Sequence, residues 1–228
     1  MTAEARPAGA GSVLAAAACL VACGALVGAR ALGADGVAAA AKVVASTAFL
    51  ATAWLAGAPG SRYGRGILTG LFLAWIGDLF LIGESSRWFL SGLVAFLAGH
   101  IAYAAAFVIR GTDRRWLVAT ALPVGLLSLA VISWLTPVLP PEMVMPVRAY
   151  TLVISAMVIA AYGAKGAGAP LLVPFGATLF YVSDLAVAAV TFAEPAFPHY
   201  VWGLPFYYTG QLMLAFSTAS APGRESRI

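Results

Sequence analysis

Long apolar runs, separated by short stretches rich in Gly and Pro, dominate the hydropathy pattern of this chain. Each run approaches the roughly 20 residues that an α-helix needs to cross a bilayer. The breaks contain helix-ending residues such as Pro59, Pro140 and Pro170. The pattern therefore predicts eight helices, at Ser12 to Leu32, Val37 to Leu55, Ile67 to Ile82, Trp88 to Ile109, Trp116 to Leu135, Met143 to Tyr162, Leu171 to Phe192 and Tyr200 to Ala219.

Composition indicates that these helices are surrounded by lipid. Of the 228 residues, 62% are apolar and only 10% are charged, too apolar for one water-soluble core of this size. We therefore predict an all-α polytopic membrane protein with a single eight-helix domain at residues 12–219. Short polar tails are expected at residues 1–11 and 220–228. The first run is longer than the apolar part of a signal peptide, which favours its retention.

The basic residues predict an orientation, because Lys and Arg in short loops stay on the cytoplasmic side. With eight spans both termini share one side, and that side holds Arg6, Arg62, Arg65, Arg110, Arg114, Arg115, Lys165, Arg224 and Arg227. The opposite loops hold Arg30 and Arg87, with Arg148 at the margin of the sixth span. We expect cytoplasmic termini in a bacterial inner membrane. The net charge of +4 then reflects topology, and no nucleic-acid partner is predicted.

A repeated spacing predicts an internal duplication. An offset of 106 residues separates Asp78 from Asp184 and also Lys42 from Arg148. At the same offset Gly70, Trp75, Gly77 and Leu79 correspond to Gly176, Tyr181, Ser183 and Leu185. We predict two parallel four-helix repeats, at about 12–110 and 116–219, around a central polar cavity. Compositional similarity between membrane helices is the alternative.

Charged residues inside the spans are the first candidates for function, because a charge in a bilayer is costly unless it faces a cavity or a partner. At 1.5 Å per residue, Asp78 and Asp184 lie near mid-depth, whereas Lys42 and Arg148 lie ~8 Å from the outer face. Arg suits phosphate through paired hydrogen bonds. Two carboxyl groups in one low-dielectric site do not ionise together easily, which leaves an acid beside a carboxylate.

Further polar residues are expected near this pair. His100 could orient water or an aspartate. Substrate contacts are predicted for Lys42, Arg148, Tyr103, Tyr181, Gln211 and Tyr207. The alternatives are that the aspartates pair structurally with Lys42 and Arg148, that His100 only joins helices, and that Arg148 extends to the interface. Cys19 and Cys23 are interpreted as small buried apolar residues. No close-spaced ligand motif favours a metal, and no cofactor is predicted.

Several segments resemble the YhhN family, which includes the eukaryotic lysoplasmalogenases. They are GDLFLI from Gly77, GLVAFLAGHIAYAAAF from Gly92, RAYTLVISAM from Arg148, FGATLFYVSDLAVA from Phe175 and YYTGQLMLAFS from Tyr207. The resemblance implies an eight-span hydrolase that cleaves the vinyl ether of a lysoplasmalogen to a fatty aldehyde and a glycerophospho-base. It also implies that Asp78 and Asp184 are catalytic, and that a lysophospholipid and water are the partners.

Vinyl ether hydrolysis suits an acid–base pair, because it begins with protonation of the alkenyl carbon and needs no covalent nucleophile. The chain has no Gly-x-Ser-x-Gly elbow of ordinary lipid esterases. A proton-coupled transporter is the main alternative, since carriers also combine parallel repeats with intramembrane carboxylates. An intramembrane aspartyl protease is a third. Headgroup preference and oligomeric state, including a monomer, stay open.

Overall fold

The computed structural model describes residues 9–83, 85–193 and 198–220. These residues form eight α-helices and no strand, which confirms the all-α prediction. The helices are α1 (Ala10–Ala31), α2 (Asp35–Leu55), α3 (Arg62–Phe80), α4 (Ser86–Arg110), α5 (Arg114–Leu135), α6 (Val144–Gly166), α7 (Leu172–Ala188) and α8 (Gly203–Ser217). Most of both predicted tails lies outside the described residues, as do Arg6, Arg224 and Arg227.

Six of the helices, namely α1, α2, α4, α5, α6 and α7, are long and apolar enough to cross a membrane. The other two differ from the predicted spans for identifiable reasons. Helix α8 has only 15 residues, because short 3₁₀ turns take up the ends of the predicted run. Helix α3 begins at Arg62, before its apolar run, because the Ser61 hydroxyl caps it by accepting a bond from the Gly64 N–H at 2.9 Å.

Six helices form a closed ring in the order α2, α3, α4, α6, α7, α8, each packed on the next and α8 packed on α2. Helix α1 packs outside this ring against α2 and α8, and α5 packs mainly against α6. The arrangement follows from four helix hairpins, α1–α2, α3–α4, α5–α6 and α7–α8, whose short connections keep neighbours in contact.

Glycines allow the ring hairpins to pack closely. A Cβ on Gly99 of α4 would lie 3.2 Å from the Gly70 carbonyl oxygen of α3. In the second hairpin, a Cβ on Gly210 of α8 would lie only 2.9 Å from the Gly176 carbonyl oxygen of α7. Small residues at such crossings let two membrane helices approach backbone to backbone. Glycines at equivalent positions thus set the distance between the two helices in both hairpins.

Replacing Gly210 by Ala tests this packing. We expect the substitution to lower the free energy of unfolding by about 1–3 kcal/mol, because the methyl group meets backbone that cannot move aside. Gly125→Ala on α5 is the matched control, since a Cβ there meets nothing within 4 Å. Thermal unfolding in detergent measures both variants. Equal melting temperatures for the two would contradict the close crossing.

Candidate active site

One cavity of about 510 Å³ lies inside the bundle, and all eight helices contribute to its wall. Its lining residues come from the C-terminal halves of α1, α3, α5 and α7 and from the N-terminal halves of α2, α4, α6 and α8. The cavity therefore lies toward one end of the bundle, opposite the loops that carry Arg62, Arg114 and Lys165. Its wall is mainly aliphatic and aromatic, and Asp78 and Asp184 both line it.

Groups from α2 and α8 surround the carboxyl group of Asp78, which lies on α3. The Ser46 hydroxyl donates to Asp78 Oδ2 at 2.5 Å, and the Tyr207 hydroxyl donates to the same oxygen at 2.8 Å. The Lys42 ammonium lies 3.7 Å from Asp78 Oδ1. Lys42 and Ser46 reach the same group because residues four apart share one face of α2. Both carboxyl oxygens of Asp78 thus face donors or a positive charge.

A separate set of donors surrounds Asp184. The Tyr150 hydroxyl donates to Asp184 Oδ2 at 2.6 Å, and His100 Nε2 lies 3.1 Å from the same oxygen. His100 Nε2 also lies 2.9 Å from the Tyr150 oxygen, so the three groups form a triangle. Among the described residues, Asp184 Oδ1 has no hydrogen-bond partner. The side chain of Asp184 is 16% exposed against 4% for Asp78, so this carboxyl group is the more accessible of the two.

Aromatic rings pack between the two carboxyl groups. The Phe180 ring centroid lies 4.6 Å from that of His100 and 5.3 Å from that of Tyr207. Phe96 packs edge-on against Phe180 and Tyr207 and faces the cavity. The rings fix the imidazole and the phenol that bind the two aspartates.

Three of the predicted residues lie behind the cavity wall. His100, Tyr103 and Gln211 are fully buried, and none of them lines the cavity. The Tyr103 hydroxyl donates to Gln211 Oε1 at 2.7 Å, and the Tyr103 ring fills the space beside Gly70. In this structure Tyr103 and Gln211 thus join α4 to α8, and their contacts with a substrate stay predictions. His100 contacts Asp184 instead of the cavity.

The structure places Lys42 on the cavity wall and Arg148 outside it, although substrate contacts are predicted for both. Arg148 is exposed and outside the cavity wall, and its nearest polar contact is Thr136 Oγ1 at 3.5 Å. On α6 the cavity side is formed by Val147, Tyr150, Thr151 and Ile154, which recur at helical spacing. Arg148 lies outside that stripe. Lys42 does line the cavity, and the second cation on the wall is Arg30.

Two predicted residues, Tyr181 and Tyr207, do line the cavity. The buried Tyr181 hydroxyl has no hydrogen-bond partner among the described residues, so it is available to a bound molecule. Sequence reasoning missed Ser46 and Tyr150. The position of Ser46, one turn after Lys42, could have indicated it. Tyr150 gave no such signal, because a tyrosine near the start of a span resembles an ordinary interfacial residue.

Within residues 9–83, 85–193 and 198–220, no three His, Cys, Asp or Glu side chains cluster closely enough to hold a metal ion. Cys19 and Cys23 are buried and unpaired by disulfide. What the site offers chemically is two carboxyl groups in unlike surroundings, one cation beside the first, and an apolar cavity that both face.

Comparison with known proteins finds relatives that are similar to most of this chain. The chain is 30% identical over 165 residues to "Lysoplasmalogenase TMEM86B" of Homo sapiens, covering 72% of this chain and 68% of that protein. It is 31% identical over 161 residues to "Lysoplasmalogenase TMEM86A" of Bos taurus, covering 68% and 65%. It is also 32% identical over 174 residues to "Lysoplasmalogenase TMEM86B" of Rattus norvegicus, covering 73% and 66%.

The match thus spans about two thirds of the length of these relatives. No solved structure matches the chain significantly. The model of the YhhN family matches residues 37–218, which contain both aspartates and the seven residues described above as bonded or packed around them. The chain belongs to the YhhN family.

Proposed function

We propose that this protein is a membrane hydrolase of lysoplasmalogenase type. It would cleave the vinyl ether of an alkenyl-glycerophospholipid, such as alkenyl-glycerophosphoethanolamine or -choline, to a fatty aldehyde and a glycerophospho-base. The observation that carries the proposal is the pair of unlike carboxyl groups on one apolar cavity. The names of its relatives support the same substrate class.

The cavity suits a single-chain amphiphile. Its volume of about 510 Å³ falls within the usual range of small-molecule sites, and its aliphatic and aromatic wall favours a hydrocarbon chain. Tyr181 lines the same space, and its buried hydroxyl has no partner among the described residues. We assign it the glycerol hydroxyl of the substrate, because a buried donor without a partner is costly until a ligand satisfies it.

The surroundings of Asp78 favour the carboxylate form. Lys42 supplies a positive charge, and the Ser46 and Tyr207 hydroxyls donate to Oδ2. Donors and a cation around one group stabilise its anion. A buried Lys42 without a partner would in turn be an uncompensated charge in low dielectric. We therefore assign Asp78 the carboxylate form at the start of the reaction.

The surroundings of Asp184 favour the protonated acid. His100 Nδ1 is buried without a partner, so an imidazolium would carry an unsatisfied N–H, and the neutral ring with the proton on Nε2 fits better. No positive charge then lies beside Asp184, and an uncompensated Asp184 carboxylate inside the bundle would be costly. With Oδ2 occupied by Tyr150 and His100, the acidic proton belongs on Oδ1, toward the cavity.

These assignments give a balanced reaction. Asp184 transfers its proton to the alkenyl carbon distal to the ether oxygen, and the resulting oxocarbenium ion is stabilised by the Asp78 carboxylate. Water adds to the cation as Asp78 accepts one of its protons, which forms a hemiacetal. The hemiacetal then breaks its bond to the glycerol oxygen. Asp78 returns its proton to that oxygen, and Asp184 recovers a proton from the hemiacetal hydroxyl.

The membrane topology belongs to the same proposal. We infer that α3 and α8 also span the bilayer, because the closed ring includes them between spanning helices. We further infer parallel repeats, since a half-turn of the ring exchanges α2, α3 and α4 with α6, α7 and α8. The equivalent glycine crossings at Gly70 with Gly99 and Gly176 with Gly210 support it. Cytoplasmic termini then place the cavity in the outer half.

Substitution of either aspartate tests the reaction. We expect Asp78→Asn and Asp184→Asn each to lower aldehyde release from alkenyl-lysophosphoethanolamine at least ~100-fold, the usual contribution of an acid or base. Asp113→Asn is the matched control, because Asp113 caps α5 at the opposite end of the bundle. Activity that survives both substitutions would refute the mechanism. Flux into liposomes without product would favour the transporter.

Removing the Tyr150 hydroxyl tests the orientation of the acid. We expect Tyr150→Phe to lower kcat about 10-fold, because one hydrogen bond that fixes Asp184 is lost. KM and the melting temperature should change little, since the ring keeps its packing. Tyr162→Phe is the control, because that hydroxyl contacts only Thr178, at 3.4 Å. A fall in melting temperature with unchanged kcat would make Tyr150 structural only.

A further inference from the structure

Arg30 is a charged residue of the cavity wall to which the reaction gives no role. It lies in the last turn of α1, at the end of the bundle toward which the cavity lies. Its guanidinium Nη1 lies 3.2 Å from Asp35 Oδ1, at the first residue of α2. Residue 30 lies outside residues 37–218, the segment that the family model matches.

The partner of Arg30 is easily exchanged. The side chains of Arg30 and Asp35 are 42% and 74% exposed, respectively. Exposed ion pairs are typically worth only ~0–1 kcal/mol, so solvent or a ligand can replace Asp35 at little cost. Lys42 differs, because it is buried and its charge is compensated by Asp78. Arg30 is therefore the cation of the wall that can bind an incoming anion.

Arg30 and Lys42 act on the same region of the cavity. Both line it. Seven residues of α2 separate Asp35 from Lys42, a rise of roughly 10 Å along the helix. A phosphate on Arg30 would thus lie nearer the end of the bundle than the Lys42–Asp78 pair. The chain would extend from there along the apolar wall.

We propose that Arg30 binds the phosphate of the lipid headgroup at the cavity mouth, displacing Asp35. The inference deepens the proposed function and rests on it for the identity of the lipid. Guanidinium groups hold phosphate through two parallel charge-assisted hydrogen bonds, which an ammonium cannot reproduce. Arg30 then determines the preference for a phosphorylated headgroup and leaves the chemistry to the aspartates. It takes the role that the sequence alone assigned to Arg148.

The experiment compares two uncleavable ligands, 1-alkyl-lysophosphoethanolamine and the phosphate-free 1-alkylglycerol. Both carry a saturated ether, so binding is measured whether or not the protein hydrolyses vinyl ethers. We expect Arg30→Gln to weaken binding of the phosphorylated ligand roughly 10- to 100-fold and to leave alkylglycerol binding unchanged. Arg30→Lys should fall between wild type and Arg30→Gln. Arg87→Gln is the control, an exposed arginine at the same end of the bundle and outside the cavity wall.

Three results would overturn the inference. Arg30→Gln could change the binding of both ligands equally, or of neither. Arg148→Gln could weaken the phosphorylated ligand in place of Arg30→Gln. Inorganic phosphate could bind as tightly as the lipid, which would make Arg30 a site for a free anion. Failure of the proposed function has a separate signature, namely no aldehyde from vinyl ether substrates while binding depends on Arg30 as described.

Discussion

The structure depends on how two carboxyl groups are accommodated among apolar helices. Asp78 is satisfied only where α2, α3 and α8 converge, through Lys42, Ser46 and Tyr207. Asp184 is satisfied where α4, α6 and α7 converge, through His100 and Tyr150. Helices α3 and α7 carry the aspartates, and each of the other four ring helices therefore supplies a polar group to one aspartate or the other. Because an unpaired charge in a bilayer is costly, these contacts specify which helices must meet.

The same contacts make the two aspartates chemically different. Asp78 has a cation and two hydroxyl donors and is enclosed on both oxygens. Asp184 has only neutral donors on one oxygen and leaves the other toward the cavity. Two like groups placed by a repeated spacing thus acquire unlike roles from their neighbours. An acid and a carboxylate on one wall are what protonation of an electron-rich double bond requires.

The sequence was informative where a charge interrupts an apolar run. Asp78, Asp184 and Lys42 stand out for that reason, and all three line the cavity. Tyr150 and Ser46 did not stand out in the same way as the charged residues. Hydroxyl side chains are common in membrane helices, and many of them form hydrogen bonds with nearby backbone groups. Arg148 was misplaced because the rotation of a helix end about its axis is decided by packing. Helix number followed from hydropathy, whereas the bounds of α3 and α8 depended on a cap and on 3₁₀ turns.

In this mechanism Asp184 protonates a carbon atom of the substrate. Single-turnover hydrolysis of alkenyl-lysophosphoethanolamine in H₂O and in D₂O tests this step directly. We expect aldehyde release to be several-fold slower in D₂O, because the exchangeable proton of the Asp184 carboxyl group is transferred to carbon in the slow step. Equal rates in the two solvents would contradict the mechanism, since proton transfer to carbon would then not limit the reaction.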